Sequence, residues 1–477
     1  MKRRKPITLK EGCCVAVLCY IVLMTAVYWI AGDQFFHRTE NVGSVANTAG
    51  AVPVTQGGSI EQIFTEQTDM LESVSVKTCT FARMNQGTMT IRVLDNTDRS
   101  VVMSASFSAS SLPDNNFVLL RPANPVTNAK GRQFRILITT DSADAKTAPS
   151  VVYNDKVQQA GQLYFNGTPQ KGTLCFSTQS LHNLWFGPHY FEVAGAGGLL
   201  LIAYCANLCY RQKKEKKSLG LNTIAAFTRY RFLLKQLVSR DFKTKYKRSV
   251  LGVFWSFLNP LLTMSVQYVI FSTIFNQSIE NFPVYLLTGI VFFNFFSEAC
   301  GMGLMSILGN ASLITKVYIP KYIFPISRVL SSAINLLISM IPLLIAAVVT
   351  HAPIRPALLL LPISMVCTVL FCIGVSLILS AGMVFFRDVQ FLWNVISMLW
   401  MYATPIFYPT SIIPDKFMTL YKLNPLYQFI TFSRTIILQG VSPEPKAFLF
   451  CILCALVPFV LGTLLFKKTQ DKFVLNI

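Results

Sequence analysis

Charged residues are scarce in this chain of 477 residues. Asp, Glu, Lys and Arg make up 13% of it, whereas about 25% is usual in soluble domains. Hydrophobic residues make up 52%, and the shortage of charge is concentrated in long uncharged runs. The composition therefore excludes an ordinary soluble protein and favours a protein of the lipid bilayer.

Motifs for nucleotide and metal chemistry are also missing. No Gly-x-x-x-x-Gly-Lys-[Ser/Thr] phosphate loop occurs; the stretch 167–173 comes nearest and lacks the Gly-Lys pair. The twelve cysteines form no spacing typical of a metal site. We therefore expect no catalytic residue, no metal ligand and no cofactor bound by this chain.

The formal net charge of +20 is unevenly distributed. Between Asp33 and Glu192 there are 12 basic and 13 acidic residues, which leaves 30 basic and 9 acidic residues elsewhere. These remaining basic residues flank the apolar runs, where Lys and Arg are retained on the cytoplasmic side of a membrane. The excess charge therefore indicates topology and does not require nucleic acid as a partner.

A helix that crosses the hydrocarbon core needs about 20 apolar residues, and eight runs meet or approach this length. They are 12–31, 193–210, 250–275, 282–297, 329–350, 357–386, 389–409 and 447–466. The seventh is followed by apolar sequence interrupted by Pro414, Pro425 and Gly440, which predicts a partly re-entrant stretch.

Basic loops set the orientation of these spans. Clusters precede the first span, follow the second and lie between the fourth and fifth, and with eight spans they fall on one side. We therefore expect both termini in the cytoplasm and residues 33–192 outside. A cleaved signal peptide is the alternative for residues 1–31; the long apolar run and the poor Ala-Gly-Asp site favour an anchor.

The outward segment predicts an all-β domain. Residues 32–73 are rich in Gly, Ser, Thr and Gln and are predicted to form a linker. From 74 to 190, short runs that alternate apolar and polar residues are separated by turns, which is typical of a β-sandwich. Cys79 and Cys175 lie near its ends and form either a disulfide or two buried thiols. Tyr153, Tyr164 and Trp185 are candidates for sugar contact or for ordinary core packing.

The sandwich sequence resembles jelly-roll modules of bacterial cell-envelope polysaccharide proteins. The likeness rests on Arg83-Met-Asn-Gln-Gly-Thr-Met-Thr-Ile-Arg-Val93 and on Val118-Leu-Leu-Arg-Pro122. The fold class expected for the whole chain is therefore a mainly α-helical polytopic membrane protein with an inserted, extracytoplasmic, jelly-roll-like sandwich.

From about residue 221 onward, several motifs occur in order. They are Lys245-Tyr-Lys-Arg-Ser-Val-Leu-Gly-Val-Phe-Trp255, Asn259-Pro260, Leu313-Ile-Thr-Lys-Val-Tyr-Ile-Pro320, Phe386-Arg-Asp-Val389, Tyr402-Ala-Thr-Pro-Ile-Phe-Tyr-Pro409 and Asn424-Pro-Leu-Tyr427. Together they resemble the ABC-2 permease family, and most closely the branch that exports O-antigen, teichoic acid and related glycans.

This resemblance implies a transporter in the cytoplasmic (inner) membrane of a bacterium, and not an enzyme. It implies a homodimer of permeases, a separate cytoplasmic ABC ATPase subunit that holds ATP and Mg²⁺, and a polyprenyl-linked glycan as substrate, with a role in lipopolysaccharide or teichoic acid biosynthesis. The permease domain would comprise 250–477, preceded by a cytoplasmic N-terminus at 1–11, the spans 12–31 and 193–210, and a basic segment at 211–249.

The basic segment has two interpretations. Residues 211–248 contain 13 Lys and Arg against Glu215 and Asp241, which suits anchoring to lipid head groups and topology. The alternative is that part of the cluster receives the diphosphate of the substrate. The candidates are Arg229, Arg231, Lys243, Lys245, Lys247 and Arg248.

The segment from Leu313 to Phe324 occupies the place of the family's coupling helix, which docks on the ATPase. The residues assigned to it are Leu313, Ile314, Lys316, Tyr318, Pro320 and Lys321. The family pattern has an acidic residue shortly after the proline, and this chain has Lys321 and Tyr322 there instead.

Aromatic residues are abundant in the spans and have either a lining or a lipid-facing role. The candidates for the translocation path are Trp255, Phe292, Phe296, Trp400, Tyr402 and Tyr408. Glu298 lies inside an apolar stretch, where a charge costs about 2.5–3.5 kcal/mol on insertion scales. It is therefore predicted to be functional, or to lie near a membrane surface.

Three other functions remain open on the sequence. An ABC-2 exporter of a small drug or lipid would share the permease architecture. A membrane glycosyltransferase or acyltransferase would need paired acids or a His/acid group at a membrane face, and His351 stands alone in a loop. A glycan receptor would not need so many spans.

Overall fold

The computed structural model describes residues 9–42, 50–122, 124–155, 161–214, 219–247, 249–275, 281–317, 319–410, 413 and 415–476. The chain divides into two compact units. One is Phe35–His189, and the other combines Met1–Gln34 with Tyr190–Ile477. The first unit is built mainly of strands and the second of helices.

The described strands are β1 His37–Val42, β2 Gly50–Pro53, β3 Ser59–Thr65, β4 Met70–Cys79, β5 Thr88–Asp95, β6 Val101–Ser108, β7 Asn116–Leu120, β8 Val126–Thr127, β9 Gln133–Thr140, β10 Ser150–Asn154, β11 Leu163–Phe165, β12 Thr168–Gln170, β13 Thr173–Leu174 and β14 Phe176–Asn183. They form two antiparallel sheets. The eight-stranded sheet has the order β1-β14-β4-β10-β13, with β2 on β10 and with β7 and β8 on β4; the six-stranded sheet has the order β12-β11-β3-β9-β5-β6.

The core of this unit lies between the inward faces of the two sheets. Along β9 the side chains of Phe134, Ile136 and Ile138 are buried while their neighbours are more exposed. The ring of Phe64 on β3 lies 5.8 Å from that of Phe134 and 5.3 Å from that of Phe176, between ring centroids. The predicted sandwich is confirmed, because strands such as β3, β5 and β9 bury alternate side chains in the core between the two sheets.

The sandwich begins earlier than the sequence predicts. Three strands, β1 to β3, lie in the segment 32–73 that is predicted as a linker. In β3 the polar Gln62 is fully buried, and its Oε1 accepts a hydrogen bond of 2.9 Å from the backbone N–H of Leu174. These strands were not predicted because their sequence is rich in small and polar residues. Some of those polar residues, such as Gln62, form hydrogen bonds inside the core.

Cys79 and Cys175 are both thiols and are not joined as a disulfide. Cys79 lies opposite Ser150 at the end of β4, whereas the carbonyl of Cys175 accepts a hydrogen bond of 2.8 Å from the N–H of Lys77. Burial raises the pKa of the Cys175 thiol to about 11, so this thiol is protonated at neutral pH. Of the two possibilities left by the sequence, the structure therefore shows the pair of thiols.

The described helices are α1 Leu9–Phe36, α2 Tyr190–Lys213, α3 Leu219–Tyr246, α4 Phe254–Phe275, α5 Phe282–Leu304, α6 Ala311–Lys316, α7 Ile323–Val349, α8 Leu361–Phe385, α9 Val389–Tyr402, α10 Asp415–Leu423, α11 Pro425–Arg434, α12 Pro445–Thr469 and α13 Phe473–Asn476. Short 3-10 turns occur at Ala109–Ser111, Leu308–Asn310, Pro356–Leu360 and Gln470–Lys472, and a π-helical turn at Thr435–Gln439.

Six helical stretches in the described part of the chain are long and apolar enough to cross a membrane. They are Leu9–Gly32, Tyr190–Lys213, Phe282–Leu304, Ile323–Val349, Pro356–Phe385 and Pro445–Asn476. These six correspond to six of the eight spans expected from the sequence. The other two expected spans, 250–275 and 389–409, are not among the six found in the described residues, and 250–275 stays a prediction.

The two helices in these segments differ in length. α4 has 22 residues, among them Asn259, Pro260 and Gln267, and is about 33 Å long, which is enough to cross the hydrocarbon core. α9 has only 14 residues and is about 21 Å long, shorter than the hydrocarbon core of about 30 Å. It ends at Tyr402 because Pro405 disfavours helical backbone in the residue before it. The two helices α10 and α11 then follow, in the stretch predicted to be partly re-entrant.

Helices of the second unit approach closely through small residues. α5 is buried on nearly all sides, and α8 packs along α12 with backbone against backbone. A Cβ added to Gly374 would lie 2.4 Å from the carbonyl oxygen of Pro458, and one added to Gly462 would lie 2.2 Å from that of Gly374. Close approach through glycine is a usual way to pack helices in membranes.

α1 and α2 are linked by two tyrosines. The hydroxyl of Tyr20 donates to the carbonyl of Ala194 at 2.8 Å, and that of Tyr190 donates to the carbonyl of Met24 at 2.7 Å. Gly197 and Gly198 lie directly against the Tyr20 ring. These contacts hold the predicted anchor helix beside the helix that follows the sandwich in sequence.

Candidate functional site

A charged groove lies among α3, α4, α5 and α7. It consists of two adjoining cavities of about 300 and 620 Å³, both lined by Lys245 and Glu298. Trp255, Asn259 and Asn294 are among the other residues of the narrower cavity. We call the two cavities together the charged groove. It leads from the basic C-terminal end of α3 into the helical bundle.

Glu298 on α5 is the central acid of the charged groove. Its Oε2 lies 2.7 Å from Nζ of Lys245. Its Oε1 accepts hydrogen bonds from Ser332 Oγ at 3.0 Å and from Asn335 Nδ2 at 2.9 Å. Because Ser332 and Asn335 are three residues apart on α7, they lie on the same helix face. Lys, Ser and Asn donors thus contact both oxygens of the carboxylate.

A second layer of hydrogen bonds connects this acid to α3 and α4. The Tyr246 hydroxyl donates to Asn335 Oδ1 at 2.9 Å and also contacts the Ser256 hydroxyl. Ser256 Oγ donates to the same Asn335 oxygen at 3.3 Å. Hydrogen bonds at both its oxygen and its nitrogen therefore fix the orientation of the Asn335 amide. Residues of α3, α4, α5 and α7 thus meet in one polar network.

The wider cavity contains a second charge cluster. Asp241 is 5% exposed, and its Oδ1 lies 2.9 Å from Arg240 and 3.3 Å from Arg328. Arg240 also donates to Oδ1 of Asn310 at 3.3 Å. Two arginines that share one buried carboxylate leave a positive excess. Counting Lys245 and Glu298 as well, the charged groove has three cations and two anions, so it favours an anionic ligand.

The structure brings only part of the predicted head-group cluster to the charged groove. Among its members in the described chain, Lys245 lines the groove, while Arg229, Arg231, Lys243 and Lys247 are exposed on or just after α3. The guanidinium of Arg229 lies 5.6 Å from the ring centroid of Tyr230. Arg248 lies outside the described residues.

Arg240 and Arg328 were missed by the sequence prediction. Arg240 was counted in the basic segment, and Arg328 was used only for topology. A signal was nevertheless present, because Arg240 is adjacent to one of two acids in a basic segment, and a buried acid needs a cationic partner. Arg328 is distant in sequence, so only the fold brings it to Asp241.

The aromatic path candidates are divided between core and surface. Phe292 and Phe296 are fully buried, and the Phe296 ring lies 5.1 Å from that of Trp400, centroid to centroid. These rings pack the interior of the bundle and do not line the charged groove. Trp255 does line the groove and is 45% exposed.

The two tyrosine candidates lie at the end of α9 and in the segment that follows it. Tyr402 is 61% exposed at the end of the helix, and its carbonyl accepts a hydrogen bond of 2.7 Å from the Tyr408 hydroxyl. Trp400 donates through Nε1 to Asn424 Oδ1 at 2.9 Å. These bonds fix the turn that connects α9 to the helices α10 and α11.

The predicted coupling helix is shorter than expected. Leu313, Ile314 and Lys316 lie in α6, which ends at Lys316, and Tyr318 lies outside the described residues. Pro320 and Lys321 follow in irregular backbone before α7. The helix ends because Val317 is extended, with φ −133° and ψ 131°, and because Pro320 disfavours helix in the residue before it.

Within the residues that the structure describes, no group of three His, Cys, Asp or Glu side chains is arranged to hold a metal ion. The polar groups that line the charged groove are ammonium, guanidinium, carboxylate, amide and hydroxyl groups. These groups bind and orient phosphate through charge-assisted hydrogen bonds.

Comparison with known proteins places this architecture among transporters. Residues 233–438 match the family described as ABC-2 type transporter. The chain is 32% identical over 245 residues to the O-antigen export system permease protein RfbA of Klebsiella pneumoniae, an alignment that covers 50% of this chain and 93% of that protein.

Two further relatives show the same coverage pattern. RfbA of Myxococcus xanthus, also named as an O-antigen export system permease protein, is 30% identical over 250 residues, which cover 52% of this chain and 96% of that protein. The polysialic acid transport protein KpsM of Escherichia coli is 23% identical over 246 residues, which cover 50% and 93%. The similarity therefore extends over nearly the full length of these relatives and about half of this chain.

Proposed function

Because this chain belongs to the ABC-2 type transporter family, we propose that it is the permease subunit of an exporter of lipid-linked cell-surface polysaccharide. Two of the relatives that it matches over more than nine tenths of their length are named as permeases for O-antigen export, and a third as a polysialic acid transport protein. The observation in the structure that supports this function best is the charged groove, since such a substrate has an anionic diphosphate head and a hydroxylated chain.

The charged groove suits the diphosphate of a polyprenyl-linked glycan. Lys245, Arg240 and Arg328 present ammonium and guanidinium donors at one end of the bundle. Lys binds phosphate as a point charge and Arg binds it through two parallel hydrogen bonds. Moving hydroxyl groups through hydrocarbon without such a polar path costs several kcal/mol for each unpaired group.

Transport against the barrier of the bilayer requires a partner that hydrolyses ATP. The sequence has no phosphate loop, so the proposed ATPase is a separate subunit in the cytoplasm. It would dock near α6 and the Pro320–Lys321 turn. Two copies of the permease and two of the ATPase form the proposed working unit.

The proposed setting is the cytoplasmic membrane of a bacterium, with both termini inside and the sandwich outside. The basic residues of α3 and of the segment after α2 support this orientation, because Lys and Arg near membrane spans favour the cytoplasmic side. The charged groove then opens toward the cytoplasm, where lipid-linked glycans would be loaded.

Conditional depletion of the protein tests the function directly. We expect carrier-linked glycan to accumulate inside the cells while glycan disappears from the surface, and both pools can be quantified after extraction. If neither pool changes, polysaccharide export is wrong and the exporter of a small drug or lipid takes its place. If surface glycan falls without accumulation inside, an enzymatic role must be reconsidered.

A substitution tests the role of the charged groove. We expect Lys245→Met to lower the rate of glycan export about tenfold or more, since a hydrogen bond to a charged group contributes about 1.5–3 kcal/mol. The matched control is Lys243→Met, which removes an exposed cation from the same helix outside the groove. Equal rates for both variants would argue against head-group binding by Lys245.

A further inference from the structure

A second polar cavity, of about 610 Å³, lies at the other end of the helical bundle. α5 starts beside it and runs toward α6, and α7 runs from α6 back to it. We call it the Arg434 cavity. Its polar lining comes from four separate segments and includes Asn281, Tyr285, Thr350, His351, Thr410, Thr431, Arg434, Thr435 and Gln439.

Arg434 is the charged group of this cavity. Its side chain stands at the end of α11, and the residue is only 7% exposed. Nε and Nη2 donate to the carbonyl of Tyr285 at 3.3 and 3.0 Å, Nη1 donates to that of Pro405 at 2.7 Å, and Nη2 also donates to that of Ile406 at 3.1 Å. The guanidinium carbon lies 3.3 Å from the centroid of the Tyr285 ring.

These contacts stabilise the guanidinium without neutralising it. Every hydrogen-bond acceptor recorded for Arg434 in the described chain is a backbone carbonyl. By contrast, Asp241, Glu298, Asp95 and Glu61 are each paired with a cation. Carbonyl dipoles lower the cost of burying a charge, but the site retains its positive charge, and buried charges in proteins are usually paired.

The surroundings of Arg434 supply neutral hydrogen-bonding groups. Thr431 and Thr435 lie on the same helical stretch as Arg434, and Thr410 belongs to the segment after α9. Nδ2 of Asn281 donates to Oγ1 of Thr350 at 2.8 Å, which closes one side of the cavity. A fixed cation binds an oxyanion, and the hydroxyl groups beside it can bind the hydroxyl groups of the same molecule. An acidic sugar carries both kinds of group.

We propose that the Arg434 cavity binds an oxyanion, a carboxylate or phosphate group, carried by the exported glycan as it passes the outer end of the permease. The proposal rests on the function proposed above, because only an exporter brings such a chain to this end of the bundle. Its ligand chemistry differs from that of the charged groove. One buried guanidinium beside hydroxyl groups and His351 suits a single oxyanion, whereas the several cations of the charged groove suit a diphosphate.

Thermal unfolding of the full-length chain purified in detergent tests binding without requiring transport. The probes are sodium glucuronate and sodium phosphate, with glucose and sodium chloride at matched concentration and ionic strength. We expect a saturable rise in Tm of about 2–4 °C with the two oxyanions, because a ligand that binds the folded state stabilises it. A larger rise with glucuronate would identify a sugar carboxylate as the ligand, and a larger rise with phosphate a phosphate group.

The double variant Thr431→Val and Thr435→Val should lose this rise while keeping the contacts of Arg434 with the carbonyls. The matched control is Thr463→Val with Thr469→Val on α12, whose hydroxyls make the same kind of bond to their own helix and lie outside the cavity. This control should keep the rise. An equal rise in both double variants, or an equal rise with sodium chloride, would overturn the site.

Arg434→Lys is the second test, since it keeps the charge but cannot reach all three carbonyls. Its Tm without ligand should fall, and its rise with glucuronate should shrink severalfold but persist. Arg434→Gln should show no rise at all. A normal rise in a folded Arg434→Gln variant would refute the proposal, whereas the depletion experiment judges the export function independently.

Discussion

Four carboxylates in the part of the chain that the structure describes are paired with cations. Glu61 lies 2.7 Å from Arg135 in the sandwich, and Asp95 is paired there with Arg132. In the helical unit, Asp241 and Glu298 are paired with Arg240 and Lys245 at 2.9 and 2.7 Å. A lone charge in such surroundings would lose its hydration without compensation. Removal of one partner is therefore expected to lower the stability of the folded state more than the exposed area of that side chain suggests.

Asp95 gives a prediction for the dependence of stability on pH. The backbone N–H of Thr97 donates to this carboxylate at 2.8 Å, and with the neighbouring Arg132 it lowers the pKa of Asp95. Because the folded pKa lies below the unfolded value of about 3.9, the stabilisation is present above that value. It is lost as the pH falls through the lower, folded pKa.

We therefore expect Asp95→Asn to lower the free energy of unfolding of the sandwich by about 1–3 kcal/mol at pH 7. The free energy of unfolding should also fall less steeply in the variant as the pH is lowered. Urea unfolding of residues 35–189, which form a compact unit with its own core, measures both effects between pH 7 and pH 2. An unchanged acid slope in the variant would show that other carboxylates dominate.

At the scale of elements, the contact of α8 with α12 depends on two glycines. Gly374 and Gly462 bring the backbones so close that a Cβ at either position would overlap a carbonyl oxygen. We expect Gly374→Ala to destabilise the helical unit by about 1–3 kcal/mol, as overpacking does, despite the better helix propensity of alanine. Thermal unfolding in detergent measures the effect.

Gly301→Ala on α5 is the matched control for this substitution. A Cβ at Gly301 meets no atom within 4 Å, so only the gain in helix propensity remains and the Tm should stay equal or rise. If Gly374→Ala is as stable as Gly301→Ala, then the two helices have room to separate and the close packing is not needed.

The last described residues, 470–476, form a 3-10 turn and the short helix α13. We call them the C-terminal turn, and they hold the irregular segment after α6. Lys321 Nζ donates to the carbonyl of Gln470 at 2.6 Å, at the C-terminal end of α12, and lies 6.0 Å from the Phe473 ring centroid. Phe473 is fully buried between Phe385 and Phe466. Lys321, which stands where the family has an acid nearby, is thus engaged within its own chain.

Phe473→Ala should consequently weaken association with the proposed ATPase severalfold, because it releases the turn that positions Lys321. Copurification of the ATPase with the permease from detergent extracts measures this loss. Lys472→Met is the matched control, since it removes an exposed cation from the same turn and should leave association unchanged. If the ATPase copurifies normally with the Phe473→Ala variant, then the C-terminal turn has no role in ATPase docking.

At the scale of the whole molecule, periodicity and hydropathy predicted the fold, whereas they predicted little of the geometry of the site. Alternating residues such as Phe134, Ile136 and Ile138 identified the sandwich, because each strand buries one face. Long apolar runs identified the six helices of sufficient length and apolarity. The end of α9 before Pro405 was visible in the sequence as well, although the predicted span continued past it.

The charged groove could be predicted only in part. Lys245 and Glu298 were both noticed, but their pairing at 2.7 Å joins residues that are 53 positions apart. Asp241 with Arg328, and Arg434 with three carbonyls, also depend on contacts between distant segments. One sequence read locally indicates which residues carry charge, whereas the tertiary fold decides which charges meet.

The two units also predict separable roles. β1 pairs with β14, and His37 lies opposite Asn183, so the chain enters and leaves the sandwich on neighbouring strands. Replacing residues 35–189 with a short Gly/Ser linker should therefore leave the helical unit able to fold. We expect the shortened permease to retain its ATPase, because α6, Lys321 and the C-terminal turn all belong to the helical unit.

The same replacement should alter the range or the efficiency of glycan export, since the sandwich is then absent from the proposed exit side. Copurification reports ATPase association, and extraction of surface and carrier-linked glycan reports transport in the same cells. A fluorescent tag at the C-terminus controls for the amount of permease in the membrane. Loss of ATPase at normal membrane amounts would mean that the sandwich supports the docking surface, and the modular interpretation would have to be abandoned.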